Sequence, residues 1–175
     1  SRSALYVQEL ALMARTKVAL FNSYAQANDR MAADLIRRLV ILFASSLRYE
    51  YAVWRDTAIF TGKNWHDEIQ RAINECDFGL MSVSTEFLIS EYIGQHELPQ
   101  FVGPTSTKPV FPVLLAPLNY GRQNLKGLES VQLFTLARPS GRLTYRDCKN
   151  DATRSLFAET LFEHIEVRLD AHFAA

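Results

Sequence analysis

The chain has 175 residues, 48% of them hydrophobic and 22% charged, which suits one globular domain able to bury a full core without disulfide staples. Nineteen basic residues cancel nineteen acidic ones, so no long-range field gathers nucleic acid or anionic lipid, and neither a nucleic acid nor a membrane is expected as a direct partner. Cys76 and Cys148 have no metal-ligand spacing and are too few for a disulfide framework, so the expectation is a reducing, cytoplasmic setting and no metal.

Ala4 to Ala14 is apolar but interrupted by Gln8 and Glu9, which fits neither a signal peptide nor a membrane span. Residues 1–16 read as a short leading helix or in part an expression remnant, and 17–175 as the domain. Lys17 to Phe21 is a first strand that stops at Asn22, Ser23 and Tyr24. From Asp29, Ala32, Leu35, Ile36, Leu39, Val40, Phe43 and Leu47 recur at three and four, the stripe of a long amphipathic helix. Tyr51 to Trp54 is a second strand, and Arg55 to Asn64 is a long loop with no period. Asn64 caps a helix whose apolar stripe is Trp65, Ile69, Ala72, Ile73 and Cys76.

Phe78 to Val83 is too short for a helix and reads as a strand buried on both faces. A loop over Ser84 to Ser90 leads into a helix that Ser90 caps and in which Ile93 and Glu97 lie four apart on one face, with Pro99 ending it near Phe101. Lys108 to Leu115 is a fourth strand. Pro112 within it requires a side with no ladder partner, so the fifth strand, Gln132 to Leu136, is expected to be short and offset. Residues 138–152 read as a loop, and the last helix runs from about Ala152 to Ala171 on the stripe Phe157, Leu161, Ile165 and Leu169.

This alternation predicts an α/β, flavodoxin-like three-layer fold, with a five-stranded parallel sheet of order 2-1-3-4-5 and helices on both faces. The order reverses between strands one and three, and ligands of open α/β sheets bind at such a switch point, beyond the carboxyl ends of the strands. A ligand would then lie between Asn22–Asp29 and Ser84–Ser90, bordered by the helix of Glu97. The loop after strand one has no glycine to admit a phosphate closely, which excludes a Rossmann or Walker site. No Gly-x-Ser-x-Gly elbow is present, and His66, His96, His164 and His172 show no ligand spacing.

The segments FNSYAQAND, VWRD, the loop with Gly62 and Trp65, CDFGLMSVSTEFLISEYIGQHEL and KPVFPVLL, in this order, resemble a TIR (Toll/interleukin-1 receptor) domain of bacterial type. Ser23 and Tyr24 match the family's Ser-Tyr pair, Arg55 to Asn64 its BB loop, and Glu97 its glutamate. Two departures stand out. Asn22 replaces a usually apolar residue, and the pair Tyr92-Ile93 has one extra residue before Glu97, which leaves Tyr92, or else Ile93, to stack on a ligand. The resemblance implies NAD+ as substrate with no cofactor: hydrolysis of the nicotinamide glycosidic bond to nicotinamide and linear or cyclic ADP-ribose, switched on by oligomerisation in defence signalling. It implies Glu97 as catalytic residue, Asn22, Ser23, Tyr24, Asp56, Ser84, Tyr92 and Ile93 as substrate-binding, and Ile59 and Phe60 as an assembly loop that meets other TIR domains. Ser84 also reads as a helix-capping hydroxyl, and Asp56 as a turn residue. A sensor domain elsewhere is a further implied partner. The alternative is a non-catalytic adaptor or scaffold acting through homotypic assembly.

Overall fold

A computed structural model describes residues 2–55 and 64–174. The parallel sheet has β1 (Thr16–Ser23), β2 (Tyr49–Trp54), β3 (Phe78–Val83) and β4 (Val110–Leu114) in the order β2-β1-β3-β4. β1 is longer than the sequence suggests. Asn22 and Ser23 remain in the strand because they pair with Leu80 and Met81 of β3.

Neighbouring strand residues face opposite sides, and each side has its own core. Leu20, Leu80 and Val113 pack with α2 (Asp29–Ala44) and α5 (Asp151–Ala174) through Leu35, Leu39, Leu161 and Ile165. Phe21, Met81 and Leu114 pack on the other face with Ile69 and Ile73 of α3 (Asn64–Glu75), Phe87 and Leu88 of α4 (Thr85–Ile89), and Ile93. Full burial of a Leu- or Phe-sized side chain stabilises by about 1.5–3 kcal/mol, so these stripes hold the layers together. Leu47, expected on the α2 stripe, lies beyond the end of that helix and is exposed. Gly79 lets the Phe101 ring come close to the sheet: a Cβ there would meet that ring at 2.7 Å. The leading helix α1 (Arg2–Met13) presents Leu5, Tyr6 and Val7 to solvent.

The expected fifth strand is not a strand. Phe134 makes one parallel bridge to Val113, donating to Pro112 O at 2.8 Å and accepting from Leu114 N at 2.9 Å. The next ladder step would need an N–H on Pro112, which has none. It would also need Val110 O, which accepts from Arg168 Nη1 at 2.8 Å. The chain instead turns back on itself as an antiparallel hairpin, β5 (Leu136–Arg138) with β6 (Gly141–Leu143), where a loop was expected. Gly141 (φ +132°) supplies the conformation that this tight reversal needs.

No helix among the described residues is long and apolar enough to cross a membrane. Cys76 and Cys148 are both buried and free.

Candidate functional site

The carboxyl end of β1, beside β3, opens onto a cavity of about 340 Å³, toward the lower end of the ~300–1,000 Å³ usual for small-molecule sites. Asn22, Ser23 and Tyr24 form one wall, Trp65 and Ile69 of α3 another, and Glu86, Tyr92, Ile93 and Glu97 the third. Ser84 to Ser90, expected as a loop, is mostly the short helix α4. Ser84 caps it by accepting from Phe87 N at 3.0 Å, and Ser90 accepts from Ile93 N at 3.3 Å to start the next helical stretch.

That next stretch carries Glu97, and it is not an ordinary helix. Ile93–Glu97 is a π-turn in which Leu98 N donates to Ile93 O, five residues back. A single π-turn absorbs one extra residue without turning the following side chains away, and such turns recur at functional sites. Pro99 then removes the next backbone donor, and the chain tightens into a 3₁₀ turn at Leu98–Gln100. Glu97 is left on the cavity wall, only 7% exposed.

Ser23 lies at the end of β1, 2% exposed, and its Oγ has no hydrogen-bond partner among the described residues. A buried hydroxyl without a partner costs about 1–3 kcal/mol, so this one needs an explanation, and it lines the cavity. Asn22 beside it is also buried. The Tyr24 hydroxyl donates to Asp29 Oδ1 at 3.0 Å, which fixes the loop above the cavity.

Tyr92 is held in an aromatic wall. Its ring centroid lies 4.4 Å from that of Trp65 and 4.8 Å from that of His96, and its hydroxyl shares a hydrogen bond with His66 Nδ1 at 2.9 Å. Tyr92 and Ile93 both line the cavity. Ser84 does not: it is fully buried, and its Oγ donates to Asn28 Oδ1 at 2.6 Å while capping α4. Asp56, Ile59 and Phe60 lie outside the described residues.

Trp65 and Glu86 are among the lining residues that were not singled out for the site in the sequence. Trp65 reads as helix packing, because it sits on the apolar stripe of α3, yet it also forms cavity wall. Glu86 is a second carboxylate in the wall. A hydrogen bond from its own backbone N–H, opposed by partial burial and reinforced by Asn28, Ser84 and the charge of Arg146, holds its carboxyl below the usual range. Its signal was its place in the first turn after β3, at the sheet edge where Glu97 sits. Among the described residues, no three His, Cys, Asp or Glu side chains come together as a metal site.

A family model for the TIR domain matches residues 21–144, from the end of β1 through the β5–β6 hairpin. The chain belongs to the TIR domain family. Comparison with curated proteins and with solved structures gave no match. In this TIR domain the chain after β4 adds only one bridge to the sheet, and Glu97 sits on a π-turn.

Proposed function

We propose that this TIR domain hydrolyses NAD+ at the nicotinamide glycosidic bond, with Glu97 as the catalytic residue. The observation that carries the reading is the pairing of a buried carboxylate, Glu97, with a Ser23 hydroxyl that has no partner among the described residues, in one cavity. Glycosidases usually need a second carboxyl group to protonate the leaving oxygen. Nicotinamide leaves a pyridinium as a neutral molecule, because the electron pair of the broken C1′–N bond neutralises the ring nitrogen. No acid is then required.

What remains is positive charge on the ribose, which Glu97 stabilises while water adds to C1′ and releases its proton. A charge pair about 4 Å apart is worth about 1 kcal/mol in water but about 4 kcal/mol at an effective dielectric of 20. The burial of Glu97 therefore matters to the rate. Ser23 and Asn22 would receive the ribose hydroxyls, and Tyr92 or Ile93 would pack against the nicotinamide.

Oligomerisation with other TIR domains through the loop bearing Ile59 and Phe60 is the proposed trigger. A head-to-tail contact of that kind extends into filaments. The test is to incubate the protein with NAD+ over a wide range of enzyme concentration and to quantify nicotinamide and ADP-ribose. Specific activity should rise with concentration. No nicotinamide at any concentration would leave the scaffold reading in its place.

A further inference from the structure

We propose that Arg30, Arg146 and Arg154 form a second binding site, for a phosphate-bearing small molecule, beside the Glu97 cavity. The three side chains come from separate elements, the first turn of α2, the turn Tyr145–Asp147 after β6, and the first turn of α5. They surround a cavity of about 310 Å³ whose wall also includes Asp34, Tyr145 and Cys148. The whole chain is electrically balanced, so three guanidinium groups around one small cavity are a local excess.

Among the described residues, no carboxylate forms an ion pair with any of the three. Asp34 accepts from Tyr145, Arg37 and Arg38, Asp147 from the Thr144 backbone and hydroxyl, and Asp151 from Arg38. Among the described residues, neither Arg30 nor Arg146 forms a salt bridge. Arg154 uses only Nε, on Cys148 O at 3.1 Å. Stability does not explain them either, since a helix's first turn disfavours cations, and Arg30 and Arg154 both occupy one. Burial pushes the Cys148 thiol up, so the cavity floor offers no thiolate nucleophile.

Planar guanidinium forks match phosphate oxygens with paired, charge-assisted hydrogen bonds, a geometry that a single chloride ion cannot reproduce. The two cavities are neighbours. Gln26 and Ala27 line the first and Arg30 the second, and the Arg146 charge acts on Glu86 in the first. The shared ligand chemistry is a pyrophosphate, from the bridge of a dinucleotide reaching out of the Glu97 cavity or from a separate nucleotide.

The test is calorimetric titration of the whole chain with inorganic pyrophosphate, using the native protein, Arg30→Gln, Arg146→Gln and, as a control on α3, Arg71→Gln. The expected result is saturable binding, weakened about tenfold in each of the first two variants, or about 1.4 kcal/mol, and unchanged in the control. Both variants should keep the native thermal midpoint, because those two side chains make no hydrogen bond or salt bridge among the described residues. No binding by the native protein, or equal weakening in the control, overturns the site. If pyrophosphate competes with NAD+, the occupant is the dinucleotide bridge; if it binds without competing, the occupant is a separate nucleotide. Both results support the site. The titration needs no turnover, so a chain that fails to cleave NAD+ still decides the matter.

Discussion

The Ser84 hydroxyl donates to Asn28 Oδ1 at 2.6 Å while accepting from Phe87 N at 3.0 Å, so one side chain both starts α4 and ties it to the loop after β1. Both segments line the Glu97 cavity. Removing a Ser cap costs about 1 kcal/mol, and Ser84→Ala also leaves Asn28 without its donor. The expected loss is about 1–2 kcal/mol, or roughly 2–8 °C in thermal midpoint for a domain of this size. Urea unfolding of Ser84→Ala, Asn28→Ala and the double variant checks the link: the double variant should lose clearly less than the sum of the two.

Ser23→Ala should behave in the opposite way. The hydroxyl is buried without a partner among the described residues, so its removal should leave stability unchanged or raise it by up to about 1 kcal/mol. The same change should raise KM for NAD+, because the substrate would be its missing partner. Unfolding and steady-state kinetics on one preparation read both effects. A destabilised variant with native kinetics would assign Ser23 to the core.

Gly94 lies in the π-turn, and a Cβ added there would meet no atom within 4 Å. Gly94→Ala should therefore stabilise by about 0.4–1 kcal/mol through the unfolded chain, seen as a higher urea midpoint with an unchanged slope.

The Asp34 carboxyl gives a pH signature. Partial burial pushes it up, but hydrogen bonds from Tyr145, Arg37 and Arg38 outweigh burial and hold it at about 2, against about 3.9 in an unfolded chain. A lowered folded value means a stabilisation present above about pH 4 and lost as pH falls toward 2. Asp34→Asn should melt below the native protein at pH 7, and the gap should close by about pH 2. Thermal melts across that range test it.

Much of the architecture was legible because β1, β3 and β4 are buried on both faces, which forces continuous apolar runs such as Phe78 to Val83. The stripes of α2, α3 and α5 were readable because each helix buries one face only. The fifth strand was not. Pro112 signalled a missing ladder bond, but the capture of Val110 O by Arg168, 58 residues away in sequence, leaves no local trace. The five-residue α4 is too short to show a period, and a π-turn has no sequence pattern beyond one residue too many before Glu97. At the site, Glu97, Asn22, Ser23, Tyr24, Tyr92 and Ile93 meet at one cavity, whereas Ser84 is spent on the cap. Glu86 and Trp65 escaped because a first-turn acid and a stripe tryptophan look like ordinary helix residues until the sheet edge is assembled.

The central claim concerns the charge on Glu97. Glu97→Gln nearly preserves shape and helix propensity, so folding should be intact while the carboxylate facing the developing cation is lost. Removing about 3 kcal/mol of transition-state stabilisation slows a reaction more than a hundredfold. The decisive measurement is nicotinamide release from NAD+ by native and Glu97→Gln protein at matched high concentration, with circular dichroism to verify the fold. The account predicts native turnover and a folded variant at least about a hundredfold slower; a folded Gln variant that cleaves NAD+ at the native rate would contradict it.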